Sequence, residues 1–188
     1  MVELEIVKNI FDGEERKLER LYTPWRMKYV TSTHKKTEGC IFCDYLNADP
    51  DQDREHNLIY RGQSTFTILN IYPYNTGHLM ILPNVHVATL PEVSPAAQFE
   101  MMTLTSYFTE LLTKIFDPDG FNVGINIGRV AGAGIECHLH LHIVPRWSGD
   151  SNFMPVIGKT RVLPEELTKT YDKIVALLKQ QPPEIPSL

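Results

Sequence analysis

His138, His140 and His142 stand at every second position of His138-Leu139-His140-Leu141-His142-Ile143-Val144. In an extended strand alternate side chains leave on opposite faces, so the three imidazoles share one face with about 7 Å between neighbours. Leu139, Leu141 and Ile143 then enter the core on the other. Protonating three close imidazoles is mutually unfavourable. The spacing therefore favours neutral ring nitrogens, suited to nucleophilic attack, metal ligation or both. A second candidate is Cys40-Ile41-Phe42-Cys43. Such a pair can bite one tetrahedral zinc through a tight turn, act as a redox couple, or be two buried thiols. The redox reading is the poorer one, because no strand-to-helix setting of the thioredoxin kind surrounds it. Closing a zinc site needs two histidines, and His34, His56, His78, His86 and the strand trio all remain open on spacing alone. Cys137, beside His138, is expected to face the core as a free thiol.

These groups need a frame. The hydrophobic period is two over 57–61, 64–72 and 78–82, which predicts strands; Tyr72-Pro73-Tyr74-Asn75-Thr76-Gly77 is a turn between the last two. Residues 44–57 are polar and acidic and read as a surface connection. From Ser94 the period becomes helical. Ala97, Met101, Leu104, Phe108, Leu111 and Ile115 form one stripe, with Ser94 as cap, Pro95 in the first turn and Asp117-Pro118-Asp119-Gly120 as the stop. Strands follow over 121–128 and 136–144. A second helical stripe, Leu167, Tyr171, Ile174 and Leu178, lies between Pro164 and Pro182-Pro183. The order predicts an α+β fold: a largely antiparallel sheet, a long helix and a C-terminal helix. Residues 1–20 read as an N-terminal arm and 21–188 as a single domain, with Trp25 in 21–30 as an anchor.

Composition bounds the function. The 188 residues are 43% apolar and 22% charged, with a net charge of −5. That balance speaks against a broad electrostatic nucleic-acid binder. No apolar run reaches the ~18 residues of a membrane span, and the early acids are unlike a secretory signal. Three cysteines cannot all pair, so a reducing cytoplasm is the expected compartment.

The triad, with Asn70-Ile71-Tyr72-Pro73-Tyr74-Asn75-Thr76-Gly77-His78-Leu79-Met80-Ile81-Leu82-Pro83 and Gly124-Ile125-Asn126-Ile127-Gly128, resembles the histidine triad (HIT) family of nucleotide hydrolases and transferases. The likeness covers about residues 38–147. Two flanks, Tyr22-Thr23-Pro24-Trp25-Arg26-Met27 and Val144-Pro145-Arg146-Trp147 continuing to Phe153, are similar to bacterial members linked to diadenosine polyphosphate cleavage. The resemblance implies a HIT-like fold and cleavage of dinucleoside polyphosphates through a nucleotidyl-histidine. It also leaves an adenosine 5′-phosphoramidase or a weakly catalytic nucleotide-binding module as alternatives. It implies His140 as nucleophile, His142 as the residue that bonds the phosphate and manages protons, and His78 as a further active-site histidine. Asn70 and Asn126 match positions that contact ribose or phosphates. Cys40, Cys43, His86 and His138 match the ligands of a structural zinc. A homodimer, and a divalent cation travelling with the substrate, are further expectations. The loop Ala131-Gly132-Ala133-Gly134-Ile135-Glu136-Cys137 departs from members that carry a polar pair such as Gln-Ser there. Its glycines, Gly132 and Gly134, still let backbone N–H groups approach a phosphate. Ile68 or Leu69 is a candidate wall for the base, with ordinary core packing as the alternative. Lys159 and Arg161 could reach a distal phosphate or simply be solvated.

Overall fold

The computed structural model describes residues 39–150 and 165–186. The expectations for the arm at 1–20, the Trp25 anchor, residues 151–153, Lys159 and Arg161 fall outside them. In chain order the elements are α1 (Ile41–Asn47), β1 (Leu58–Arg61), β2 (Thr65–Leu69), β3 (Leu79–Pro83), α2 (Pro95–Phe116), β4 (Gly120–Ile125), β5 (Leu141–Arg146) and α3 (Leu167–Gln180). The five strands form one sheet in the order β1-β2-β3-β5-β4, with every pair antiparallel. This is the α+β fold expected, with the long helix and the C-terminal helix in place.

Helix α2 starts and stops as its sequence dictates. Ser94 Oγ accepts the Ala97 N–H at 3.2 Å, Pro95 supplies the first turn, and Asp117 ends the helix in the left-handed region at φ 47°. Its stripe packs with Tyr171, Ile174 and Leu178 of α3 on one face of the sheet, against Leu69, Leu79, Ile81, Leu139, Leu141 and Ile143. The other face carries a smaller cluster of Phe66, Ile68, Met80 and Leu82, covered by Cys40 and Phe42 of the α1 region. Period-two alternation in β2, β3 and β5 thus divides a helix-packed side from a side that holds the histidines.

Three expectations need correction. Residues 44–57 are more than a connection: 44–47 complete α1, and a short 3-10 turn spans Pro50–Gln52. Helix α1 carries the cysteine pair, with Cys40 as its N-cap, and Arg61 donates to the Tyr45, Leu46 and Ala48 carbonyls at its C-terminal end. Second, the last strand is not 136–144 but Leu141–Arg146. Continuing the β3–β5 register from Leu79↔Ile143 would put Leu139 opposite Pro83, which has no N–H to give. The Leu139 N–H donates to the Val87 carbonyl instead, at 2.7 Å. Alternation of side chains still persists from His138 to Ile143. Third, Cys137 lies in the turn before that segment and is exposed, its thiol beside Cys40, rather than in the core.

Candidate functional site

Cys40 and Cys43, three apart at the start of α1, project to one side. The structure brings them to His86, in the loop after β3, and to His138. One ligand atom from each lies within 4.8 Å of all the others. Cys40 Sγ stands 3.5 Å and Cys43 Sγ 3.6 Å from His138 Nδ1, and Cys43 Sγ is 3.3 Å from His86 Nδ1. A tetrahedral zinc with bonds of about 2.3 Å to sulfur and 2.0–2.1 Å to nitrogen would place such atoms about 3.6 Å apart. His138 Nε2 donates to the Pro83 carbonyl at 2.9 Å, which turns the lone pair of Nδ1 toward the sulfurs. Burial and the neighbouring Cys40 push the Cys43 thiol up to about 11. A thiol raised in this way does not ionise unaided near neutral pH, and a divalent cation is the charge that stabilises it as a thiolate. The donor set fits zinc. Of the other candidate ligands, His56 stacks on Tyr45 at 4.5 Å, and His34 lies outside the described residues.

His140 and His142 have different environments, and their hydrogen bonds assign their protons. His140 Nδ1 is 2.9 Å from the carbonyl of His138. A carbonyl only accepts, so Nδ1 carries the hydrogen and Nε2 keeps its lone pair. Burial lowers the His140 pKa below 6.5, partly offset by that carbonyl bond, so the ring is held neutral. The ring of Phe42 lies 5.6 Å away on one side.

The opposite tautomer is imposed on His142. The Tyr74 N–H donates to His78 Nδ1 at 3.1 Å, and Asn70 Nδ2 lies 3.3 Å from the same nitrogen. Asn70 Oδ1 accepts the Tyr72 N–H, so it is the amide nitrogen that faces His78. A nitrogen that accepts an N–H carries no proton. His78 is therefore protonated at Nε2, which donates to His142 Nδ1 at 3.0 Å. By the same logic His142 bears its hydrogen on Nε2. The two ring centroids are 4.9 Å apart, and of these neighbouring rings one keeps a bare Nε2 and the other an Nε2–H. Bare nitrogen is a nucleophile; N–H is a donor for charge developing on phosphate oxygens.

The remaining candidates divide. Asn126 follows β4, whose Gly124 pairs with His142, and it is half-buried. Ile68 is on the histidine side, whereas Leu69 faces the helices, so ordinary core packing accounts for it. In the glycine loop the Gly132 N–H donates to the Arg129 carbonyl at 2.9 Å and the Ala133 N–H to Gly128 at 3.3 Å. The amides of Gly134 and Ile135 take part in neither bond. Sequence reasoning missed Phe42, the Pro83 carbonyl and the Tyr74 amide. Only the closeness of Tyr74 to His78 in the chain hinted at the last.

Comparison with known proteins agrees with this geometry. The family model described as the HIT domain matches residues 51–149. An AP-4-A phosphorylase of Mycobacterium tuberculosis is 36% identical over 185 residues, 92% of each chain. A bis(5′-nucleosyl)-tetraphosphatase (asymmetrical) of Schizosaccharomyces pombe is 28% identical over 93 residues, half of each chain. The crystal structure of a Zn-bound histidine triad family protein from Mycobacterium smegmatis superposes with a TM-score of 0.60 at 27% identity, over 76% of this chain and 95% of that one. With its triad, its sheet, a family model over residues 51–149 and a relative 36% identical over 92% of its length, the chain belongs to the HIT family.

Proposed function

We propose that this protein cleaves dinucleoside polyphosphates, such as diadenosine tetraphosphate, through a nucleotide held covalently on His140. His140 Nε2 attacks the α-phosphorus, an N–P bond forms, and the anhydride P–O bond breaks to release the distal nucleotide. A neutral imidazole suits this attack, because an anionic nucleophile would be repelled by the phosphate chain. The Nδ1–H bond to the His138 carbonyl stabilises the positive charge that the ring gains. His142 Nε2–H stabilises the non-bridging oxygens, a contribution of roughly 3–4 kcal/mol for a well-placed donor. Gly134 and Ile135 offer backbone N–H groups for the same task, and Ile68 and Asn126 are the candidate contacts for base and ribose. An oxygen of phosphate or water then attacks phosphorus, the N–P bond breaks, and the His140 lone pair is restored.

The observation that carries this reading is the pair of opposite tautomers on His140 and His142. The likeness over 92% of the chain to a protein named AP-4-A phosphorylase favours phosphate as acceptor. Cys40, Cys43, His86 and His138 are the proposed zinc ligands. Four protein ligands leave no open position, so the ion would hold the fold together rather than touch substrate. A homodimer in a reducing cytoplasm completes the proposal. Among the described residues no helix is long and apolar enough to cross a membrane.

The test is product analysis from diadenosine tetraphosphate with and without inorganic phosphate. Phosphorolysis gives ADP and ATP and needs phosphate; hydrolysis gives AMP and ATP without it. Protein that releases neither set of products, while turning over adenosine 5′-phosphoramidate, would refute the substrate class.

A further inference from the structure

Cys137 takes no part in the chemistry above. It lies in the turn before His138 and is exposed, whereas Cys40 is buried and Cys43 half-buried. Yet it is not remote from the proposed metal ligands. Ile135 packs against the cluster that contains Cys40, and His138 Nδ1 stands 3.5 Å from Cys40 Sγ. The chain thus meets the surroundings of Cys40 on both sides of Cys137. The Cys137 thiol itself is within hydrogen-bond and charge reach of Cys40. A third sulfur, open to solvent, therefore sits against a buried one that helps close the proposed zinc site.

That arrangement bears on oxidation. Thiols meet a hydroperoxide according to their access to solvent, and Cys137 is the most accessible of the three cysteines. A sulfenic acid formed there has the sulfur of Cys40 beside it. A sulfur bound in a disulfide no longer serves as a thiolate ligand. Without Cys40 the site keeps Cys43, His86 and His138, three donors where a closed zinc site uses four.

We propose that Cys137 is an oxidation site through which a hydroperoxide makes a Cys40–Cys137 disulfide and so withdraws Cys40 from the metal. With hydrogen peroxide the Cys137 sulfur first attacks one peroxide oxygen. An S–O bond forms, the O–O bond breaks, and the departing oxygen takes the thiol proton and leaves as water. The Cys40 sulfur then attacks the Cys137 sulfur. An S–S bond forms, the S–O bond breaks, and the hydroxyl leaves as water with the proton of Cys40, or with one from solvent where Cys40 is a thiolate. Two electrons pass from the sulfurs to the peroxide. Burial and Cys40 hold the Cys137 thiol above its ordinary pKa, which slows the first step, so the disulfide accumulates under sustained exposure rather than a short pulse. In a reducing compartment such a bond is transient, and thiols reverse it. The loss of metal rests on the zinc reading above; the disulfide does not.

The test uses full-length protein, assayed for zinc and then held for hours with excess hydrogen peroxide. Disulfides are mapped by mass spectrometry of unreduced digests, and released zinc is followed with a chromogenic chelator. Both measurements are repeated on Cys137→Ser. Wild type is expected to yield a linked Cys40–Cys137 peptide and to lose its zinc in step with it, and dithiothreitol with added zinc should reverse both. Cys137→Ser, altered at an exposed turn position, is expected to start with the zinc and turnover of wild type and to keep its zinc over the same exposure. If that variant does not fold, Cys137→Ala is judged by the same signals. A Cys40–Cys43 link with equal zinc loss in both proteins overturns the proposal, as does Cys137 carried on to sulfinic acid with no link to Cys40. A wild type that holds no zinc refutes the zinc reading, and leaves the linked peptide to decide the role of Cys137.

Discussion

Stripping the metal is the perturbation with the largest calculable effect. The proposed site joins α1, the loop after β3 and the segment before β5, and Cys40 and His138 are 98 residues apart. An ion bound by the native chain alone stabilises it by RT ln(1 + [L]/Kd), about 4 kcal/mol at a thousandfold excess over Kd. For a chain of this length each kcal/mol moves Tm by about 2–4 °C, so removal should lower it by roughly 8–16 °C. Calorimetry with and without chelator, beside zinc measured by atomic emission, reads both halves of the claim. One zinc per chain is expected, absent from Cys43→Ser, which should melt at the chelated temperature. Turnover should fall with it, because the residue that ligates through Nδ1 also offers its backbone carbonyl to His140. Protein isolated without zinc, with a melting point that neither chelator nor added zinc moves, would refute the argument.

Replacing His140 with Asn should abolish turnover while nucleotide binding, followed by calorimetric titration, survives; a variant that still turns over rules out the covalent intermediate. The acid limb of kcat/KM should lie below 6.5, since burial lowers the His140 pKa from that value and the attacking form is neutral. His138 is lowered from 6.5 by burial as well. Between the folded and unfolded values the unfolded chain binds more protons, so metal-free protein should lose stability as pH falls below 6.5 and level off beneath the folded-state values. Urea melts at several pH values check that sign. Glu100, buried in α2, accepts the Gln63 and Ser64 N–H groups and the Thr65 hydroxyl. Glu100→Gln leaves a partly buried N–H without an acceptor and should cost about 1 kcal/mol or more in the same melts, with kcat unaltered.

Periodicity alone made the architecture legible. Alternation in 64–72 and 78–82 named strands, and the stripe from Ala97 to Ile115 named the helix and the face it buries, because burial acts on every second or every third-to-fourth residue. The same rule put three imidazoles on one side of a strand and three aliphatic side chains on the other. The motifs around His78 and His140 then narrowed the chemistry to the family level.

What periodicity cannot see is a partner distant in the chain. Helix α1 is only seven residues long, too short to build a stripe, and it is held by Arg61 from β1 and covered by Phe66 and Met80. The early end of β5 was hidden because it depends on Pro83, a residue 56 positions before Leu139 in the chain. Cys137 followed that error to the surface. The proton positions were the least legible of all. Side chain types and spacing determined that neutral imidazoles would share a face. Whether each one attacks or donates was decided by a carbonyl at His138, an amide at Tyr74 and the packing of His78 on His142. A tautomer is set by which hydrogen-bond partner sits at the other nitrogen, and only the folded chain puts that partner there.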